Sequence, residues 1–295
     1  PDEELDKYNL VRKYLLNESD SLDGKPFLWI HTNHKINARD WLSFYSRNSK
    51  MLNQPYKDLC VESIVKQCGK SFKICLIDDS SFEKIIPKWS ICMDGLAEPI
   101  KSRVRSLALT KLLYTYGGML LPNSTIVLKD LKELYDEKIK GNMMFTGELQ
   151  NKTDSNKDSR FGPSMKVLGC VKGCDNMNNL SEHLEVLIST DNTDQPNFEG
   201  NCNRYLRKLM GEGKCNIICG KGLGTKNKKN EVVLIDNLLE ESPLDLCMCS
   251  LYCIILPSEE ILNRTKYQWF ARLNHKQVME ANTQLSKFMI ISHGI

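Results

Sequence analysis

No apolar run in this 295-residue chain reaches the ~18–20 residues that a membrane-spanning helix needs, so no transmembrane segment is expected. Excess charge of one sign is also missing. The chain carries 40 Lys+Arg against 37 Asp+Glu, a net of +3. So close a balance speaks against a dedicated nucleic-acid binder, and no specific nucleic-acid binding is expected. There is no internal repeat, and no shift in composition that forces a boundary between two domains. The phosphate-loop signatures fail as well. Gly220-Lys221-Gly222-Leu223-Gly224-Thr225-Lys226 has no Gly-Lys-Ser/Thr at the Walker position and lacks the third glycine of the dinucleotide fingerprint. It reads either as a flexible, solvated basic loop or as a contact to phosphate or an acidic surface.

Cysteine is present in quantity, at 12 residues. A chain this long needs no disulfide framework, and the spacing is irregular. Cys75, Cys219 and Cys253 sit in or beside apolar stretches and read as small buried hydrophobes in a reducing, cytoplasmic setting. Cys247, Cys249 and Cys253 form a C-x-C-x3-C cluster and Cys170 with Cys174 a C-x3-C pair, neither of which is a standard zinc pattern.

The order of apolar runs and turn residues predicts an α/β fold. Residues 1–24 read as an N-terminal helical arm, and 25–295 as one α/β domain. Residues 26–31 and 72–77 are strand candidates on either side of a helix at 56–68, with Gly69 as its stop. Such a βαβ unit calls for an open, mostly parallel sheet with helices on both faces. The clearest helix covers 99–116, with Ile100, Val104, Leu107, Ala108, Leu112, Leu113 and Tyr116 in one stripe and Lys101, Arg103, Arg105 and Lys111 off it. Strands are predicted at 119–121, 143–146, 214–219, 232–235 and 251–256, and an exposed loop at 151–160. Helices are predicted at 177–188, 199–210, 258–270 and 276–288.

Two groups carry candidate chemistry. His31 and His34 follow the first strand, but no Ser or Cys nucleophile stands in a recognised context to partner them; His31 reads as a hydrogen-bonded histidine at the edge of a site. Asp78 and Asp79 lie at the carboxyl end of the second strand, where open α/β sheets bind ligands. Two readings stand side by side. The pair holds a ribose, a base or a metal, or the segment caps a helix starting near Phe82, with Ser80 or Ser81 as N-cap.

The stretch Arg105–Leu134, RSLALTKLLYTYGGMLLPNSTIVLKDLKEL, resembles the centre of the sugar-binding-region glycosyltransferases with a DXD motif, of the family 32 type. In that family a helix reading S-D-x-x-R-Y-x-x-L-Y-x-Y-G-G runs into a strand reading I-Y-L-D-x-D. The first strand, the Trp41 region, the helix at 56–68 and the second strand fall in the family's order. The resemblance covers about residues 25–135 and implies a GT-A-like fold that binds a nucleotide-sugar. Tyr114, Tyr116, Gly117 and Gly118 keep the family's pattern. The DXD aspartates fall on Pro122 and Ser124, the helix aspartate on Ser106 and the arginine on Leu109.

In such enzymes the two carboxylates hold a divalent metal on the donor's diphosphate. Pro122 supplies no ligand, and Asn123 and Ser124 are neutral ones. The resemblance therefore implies a degenerate glycosyltransferase-like protein, a pseudoenzyme kept for binding or structural assembly. No catalytic residue, metal or cofactor is expected. Asp78, Asp79, Tyr114, Gly117, Gly118, Asn123 and Ser124 are the candidate substrate-binding residues, and a nucleotide-sugar or a protein is the expected partner. The alternative is an active glycosyltransferase with a non-standard Mn or Mg site, or none. The Asn-, Lys- and Ile-rich composition further resembles glycosyltransferase-like proteins of large cytoplasmic DNA viruses, which implies a viral factory or virion location.

Overall fold

A computed structural model describes residues 2–18, 20–33, 54–141, 143–151, 161–190 and 195–295. His34, the Trp41 region and most of the loop at 151–160 lie outside them. Among the described residues six strands make one sheet: β1 (Phe27–His31), β2 (Lys73–Ile77), β3 (Gly118–Pro122), β5 (Met144–Gln150), β6 (Phe161–Cys170) and β7 (Cys215–Ile218), in the order β2-β1-β3-β6-β5-β7. β1 is parallel to β2 and β3, and β5 is parallel to β7. β6 alone is antiparallel, to β3 on one side and β5 on the other. A short ribbon, β4 (Thr125–Val127) with β8 (Cys253–Ile255), stands apart. The α/β class, the mostly parallel open sheet and the helices on both faces agree with the sequence pattern.

Strand alternation divides the core. Phe27, Trp29, Cys75, Ile77 and Leu120 face one layer, with α1 (Asp2–Arg12), α3 (Phe82–Ile85), α4 (Ile100–Tyr116), α6 (Asp175–Thr190) and α7 (Gln195–Gly211) against it. Leu28, Ile30, Ile74, Met119 and Leu121 face the other, covered by α2 (Tyr56–Cys68), α5 (Lys132–Lys138) and the ribbon. Behind α2, residues from its outer face pack with Ile126, Leu285 and Met289 of the C-terminal segment. The arm is tied down: Leu16 N–H donates to Ile74 O at 2.8 Å, and Asn17 Nδ2 donates to Gly69 O and Phe72 O at 2.7 and 2.8 Å. No helix of the described residues is long and apolar enough to cross a membrane.

Several local expectations need correction, among them that for Cys219, which is exposed and not buried. Arg103 does not lie outside the buried face of α4. It is 1% exposed, because α4 is sandwiched between the sheet and α6–α7, and its guanidinium sits 5.2 Å from the Phe198 ring centre. Residues 232–235 form no strand: Val232 makes one isolated bridge to Lys226, and α8 (Ile235–Leu239) begins at once. The helix expected over 258–270 breaks at Arg264, and that over 276–288 is two helices, restarted by Thr283 accepting from Ser286 N–H. The basic loop is not loose. Gly222 O accepts from Tyr252 and Cys253 N–H, and Leu223 is fully buried.

Candidate functional site

The chain runs from β1 to β2 on one side, and β3 then pairs on the other side of β1. The carboxyl ends of these strands are the switch point of the sheet, where open α/β folds leave a crevice. His31 ends β1 opposite Ile77 of β2 and Pro122 of β3. A cleft of about 410 Å³ opens there, lined among others by Thr32, Asp78, Asp79, Asp94, Lys101 and Arg105.

Asp79 is its anchor. Arg105, one turn into α4, donates from Nε to Oδ1 at 2.7 Å and from Nη2 to Oδ2 at 2.6 Å. His31 Nε2 lies 2.9 Å from Oδ1. Burial alone would raise the Asp79 carboxyl, but the hydrogen bonds from Arg105 and His31 outweigh it and hold the group well below the usual carboxylate range. Burial lowers the His31 pKa against the pull of Asp79, so the ring is neutral near pH 7 with Nε2–H donating. Its ring stacks on Phe82 at 5.7 Å. Asp78 acts locally: Oδ1 accepts from the Ser80 and Ser81 hydroxyls at 2.7 and 3.0 Å, while its N–H donates to Ser81 Oγ. Asp78 thus caps the short turn Asp79–Ser81 that leads into α3, while Ser81, at the N-cap of α3, makes no side-chain capping bond. Thr32 is 6% exposed, and its Oγ1 has no hydrogen-bond partner among the described residues.

Asn123 and Ser124 occupy the turn between β3 and β4 at the same end of the sheet, and Thr125 Oγ1 closes that turn on Pro122 O at 2.8 Å. Ser124 is 2% exposed and donates to Leu256 O at 3.1 Å. The Pro122–Ser124 turn itself offers a divalent ion no charged ligand. Pro122 offers no ligand, the Ser124 hydroxyl is turned into the protein, and both oxygens of Asp79 are engaged by Arg105.

Tyr114, Gly117 and Gly118 are not brought to this end. Gly118 starts β3 beside Phe27, at the amino edge, and Gly117 precedes it. Their glycines shape the backbone. Gly118 has φ +100° and an added Cβ would meet Phe27 O at 2.2 Å; Gly117 has φ +70° and would meet Lys172 N at 2.6 Å. Of the cations near the resemblance, Arg105 reaches the cleft, while Lys111 pairs with Glu185 at 2.5 Å. Lys101 also lines the cleft. Its position one helical turn before Arg105 is the sequence signal for that role.

A second group lies at the same edge of the sheet. Glu148 near the end of β5 accepts from Gly220 N–H and pairs with Lys226, both at 2.7 Å, and Lys226 lies over the Phe161 ring at 4.4 Å. The glycine-rich segment thus binds a carboxylate of its own chain.

No protein-family model matches the sequence, and no curated protein matches it. Two solved structures show a loose likeness. The glycosyltransferase GlyE of Streptococcus pneumoniae TIGR4 shares 9% identity over 92% of this chain and 63% of its own, at a TM-score of 0.44. This chain therefore spans less than two thirds of that protein. The PaToxG glycosyltransferase shares 11% identity over 71% of this chain and 78% of its own, at a TM-score of 0.32.

Proposed function

We propose that the protein is a GT-A-like, glycosyltransferase-like chain whose switch-point cleft binds a nucleoside or sugar-nucleotide. In this reading it serves binding or assembly in place of metal-dependent sugar transfer. The observation that carries the reading is the turn at Pro122–Ser124, which offers no carboxylate where the resemblance implies two. A metal clamp on a leaving diphosphate supplies several kcal/mol of transition-state stabilisation, and its loss costs a factor of ~10² or more in rate. Binding is supported by the buried Thr32 hydroxyl, unpartnered among the described residues, and by the exposed carboxylates of Asp94 and Glu98 at the cleft, groups that can accept from ribose hydroxyls or base N–H groups. Asp78, Asp94 and Glu98 around the same space disfavour a bare diphosphate. What supports a role in viral assembly is composition and resemblance.

The second reading, a metal-independent glycosyltransferase, draws on Lys101 and Arg105 at the cleft. Titration calorimetry with uridine, guanosine and their diphosphates and diphosphate-sugars, with donor hydrolysis followed in parallel, separates the two. On the binding reading a nucleoside binds at least as tightly as its diphosphate, and Thr32→Val weakens it by about 3–10-fold. Hydrolysis stays at the level of a boiled control. Donor turnover by the unmodified chain selects the enzyme; absence of binding by every ligand of the panel removes both.

A further inference from the structure

Eight of the 12 cysteines are buried among apolar side chains, but Cys247 and Cys249 are not. They belong to the turn Cys247–Ser250, closed by Ser250 N–H donating to Cys247 O at 3.1 Å. The turn brings the two sulfurs to 3.2 Å from one another. Cys249 is exposed and Cys247 half-buried, so a small reagent reaches both. Lys129 holds the turn from outside, its Nζ donating to Met248 O and Cys249 O at 3.3 and 3.4 Å.

We propose that Cys247 and Cys249 are a redox-active dithiol that closes to an intramolecular disulfide by exchange with a small-molecule disulfide. The proposal stands on the juxtaposition of two accessible thiols in a braced turn and is independent of the function assigned to the cleft. The order of events follows from the surroundings. Hydrogen bonds from Ser250 and then Cys249, with the nearby Lys221 charge, pull the Cys247 thiol down to about 7, which makes it the first nucleophile. The Cys247 thiolate attacks one sulfur of a glutathione-type disulfide, forming a mixed disulfide and expelling one thiolate. Cys249 Sγ then attacks Cys247 Sγ. The new S–S bond forms, the mixed disulfide breaks, and the second thiolate leaves. Two cysteine thiols are oxidised, one external disulfide is reduced to two thiols, and the two protons pass to the departing sulfurs. A single residue between the cysteines gives a small ring, and strained, exposed disulfides are the readily reversed ones.

The test uses the full chain in native buffer with oxidised glutathione, quenched at intervals with iodoacetamide and read by mass spectrometry of the peptide carrying both cysteines. The expected product has lost two hydrogens, carries no glutathione, and returns to the dithiol with reduced glutathione. Cys249→Ser traps glutathione on Cys247. Cys247→Ser slows the first adduct on this turn by ~3-fold or more at pH 7. Circular dichroism of both variants establishes that they are folded. A glutathione adduct that persists on the unmodified turn overturns the proposal. So does a turn that stays reduced while exposed Cys92 reacts.

Discussion

Arg105 holds Asp79 through two parallel hydrogen bonds, at 2.7 and 2.6 Å, from a helix to the end of a strand 26 positions away in sequence. The pair is the joint between α4 and the carboxyl edge of the sheet, and His31 completes it from β1. Both partners are nearly enclosed, with side chains 12% and 14% exposed, so the solvent screening that makes most surface pairs negligible is largely missing.

Arg105→Met leaves a carboxylate with one neutral hydrogen-bond donor in place of a cation. Removing one partner of a pair this enclosed costs about 3 kcal/mol. Arg105→Lys recovers only part, because an ammonium cannot reproduce the two-pronged geometry. Urea unfolding of the two variants checks both statements, and adding Asp79→Asn to Arg105→Met isolates the coupling.

Acid weakens the fold in two stages at this corner. His31 has a lowered folded pKa, so the unfolded chain takes up its proton first and stability falls as the pH drops below about 6.5. Asp79 is depressed in the fold. Its contribution is present above about pH 4 and is lost as the pH falls further toward its folded value. Urea midpoints between pH 7.5 and 2 measure the two stages. His31→Gln flattens the upper stage and leaves the lower one.

Restoring the missing carboxylates is not symmetrical. Pro122 is half-buried at the strand end, and Pro122→Asp is accommodated. Ser124→Asp puts a charge where a 2%-exposed hydroxyl donates to Leu256 O, setting a carboxylate against a carbonyl. A loss of about 3 kcal/mol or more is expected for Ser124→Asp, against less than about 1 for Pro122→Asp. In calorimetry with Mn²⁺, neither the parent nor Pro122→Asp shows a site tighter than about millimolar. A micromolar site removed by Asp79→Ala contradicts this.

Gly118→Ala is expected to unfold or severely weaken the chain, by more than about 2 kcal/mol, because φ +100° and the Phe27 carbonyl both oppose a side chain. Thermal melts measure this directly. A variant that keeps its stability and loses only ligand binding would return Gly118 to the cleft.

The legible parts of the fold are those with one strong period and a stop. The helix predicted at 56–68 is α2, residue for residue, because Tyr56, Leu59, Cys60, Ile64 and Cys68 recur at helical spacing and are buried, and Gly69 follows. β6 carries no such signal. Its Gly162, Pro163, Ser164 and Gly169 read as turn residues, yet Gly169 is what the strand needs, since a Cβ there would meet the Phe145 ring at 2.1 Å. The signals for the restarted C-terminal helices are in the sequence, as Asn274 followed by Gln277 and Thr283 followed by Ser286. In the site, position at a strand end locates His31 and Asp79. Arg105 cannot be assigned this way, because a helical arginine off the main stripe has the same pattern whether it meets solvent or a carboxylate. Gly117 and Gly118 stand out by residue type but not for ligand binding, since they allow close backbone approach at the amino edge of the sheet.

β6 runs against its neighbours and bonds to β3 on one flank and β5 on the other, so it is the seam between a leaf of β2, β1 and β3 and a leaf of β5 and β7. Each leaf contains a parallel pair, but no other strand among the described residues ties one leaf to the other within the sheet. Asp79 follows β2 of the first leaf and is held there by Arg105 of α4, while Glu148 belongs to β5 of the second leaf and is held by Lys226 from the loop after β7. Within the sheet their mutual placement passes through the 10 residues of that glycine- and proline-bearing strand, and outside it the ribbon bridges the two leaves, β8 pairing with β4 while Tyr252, Cys253 and Ile255 donate to Gly222 and Leu223.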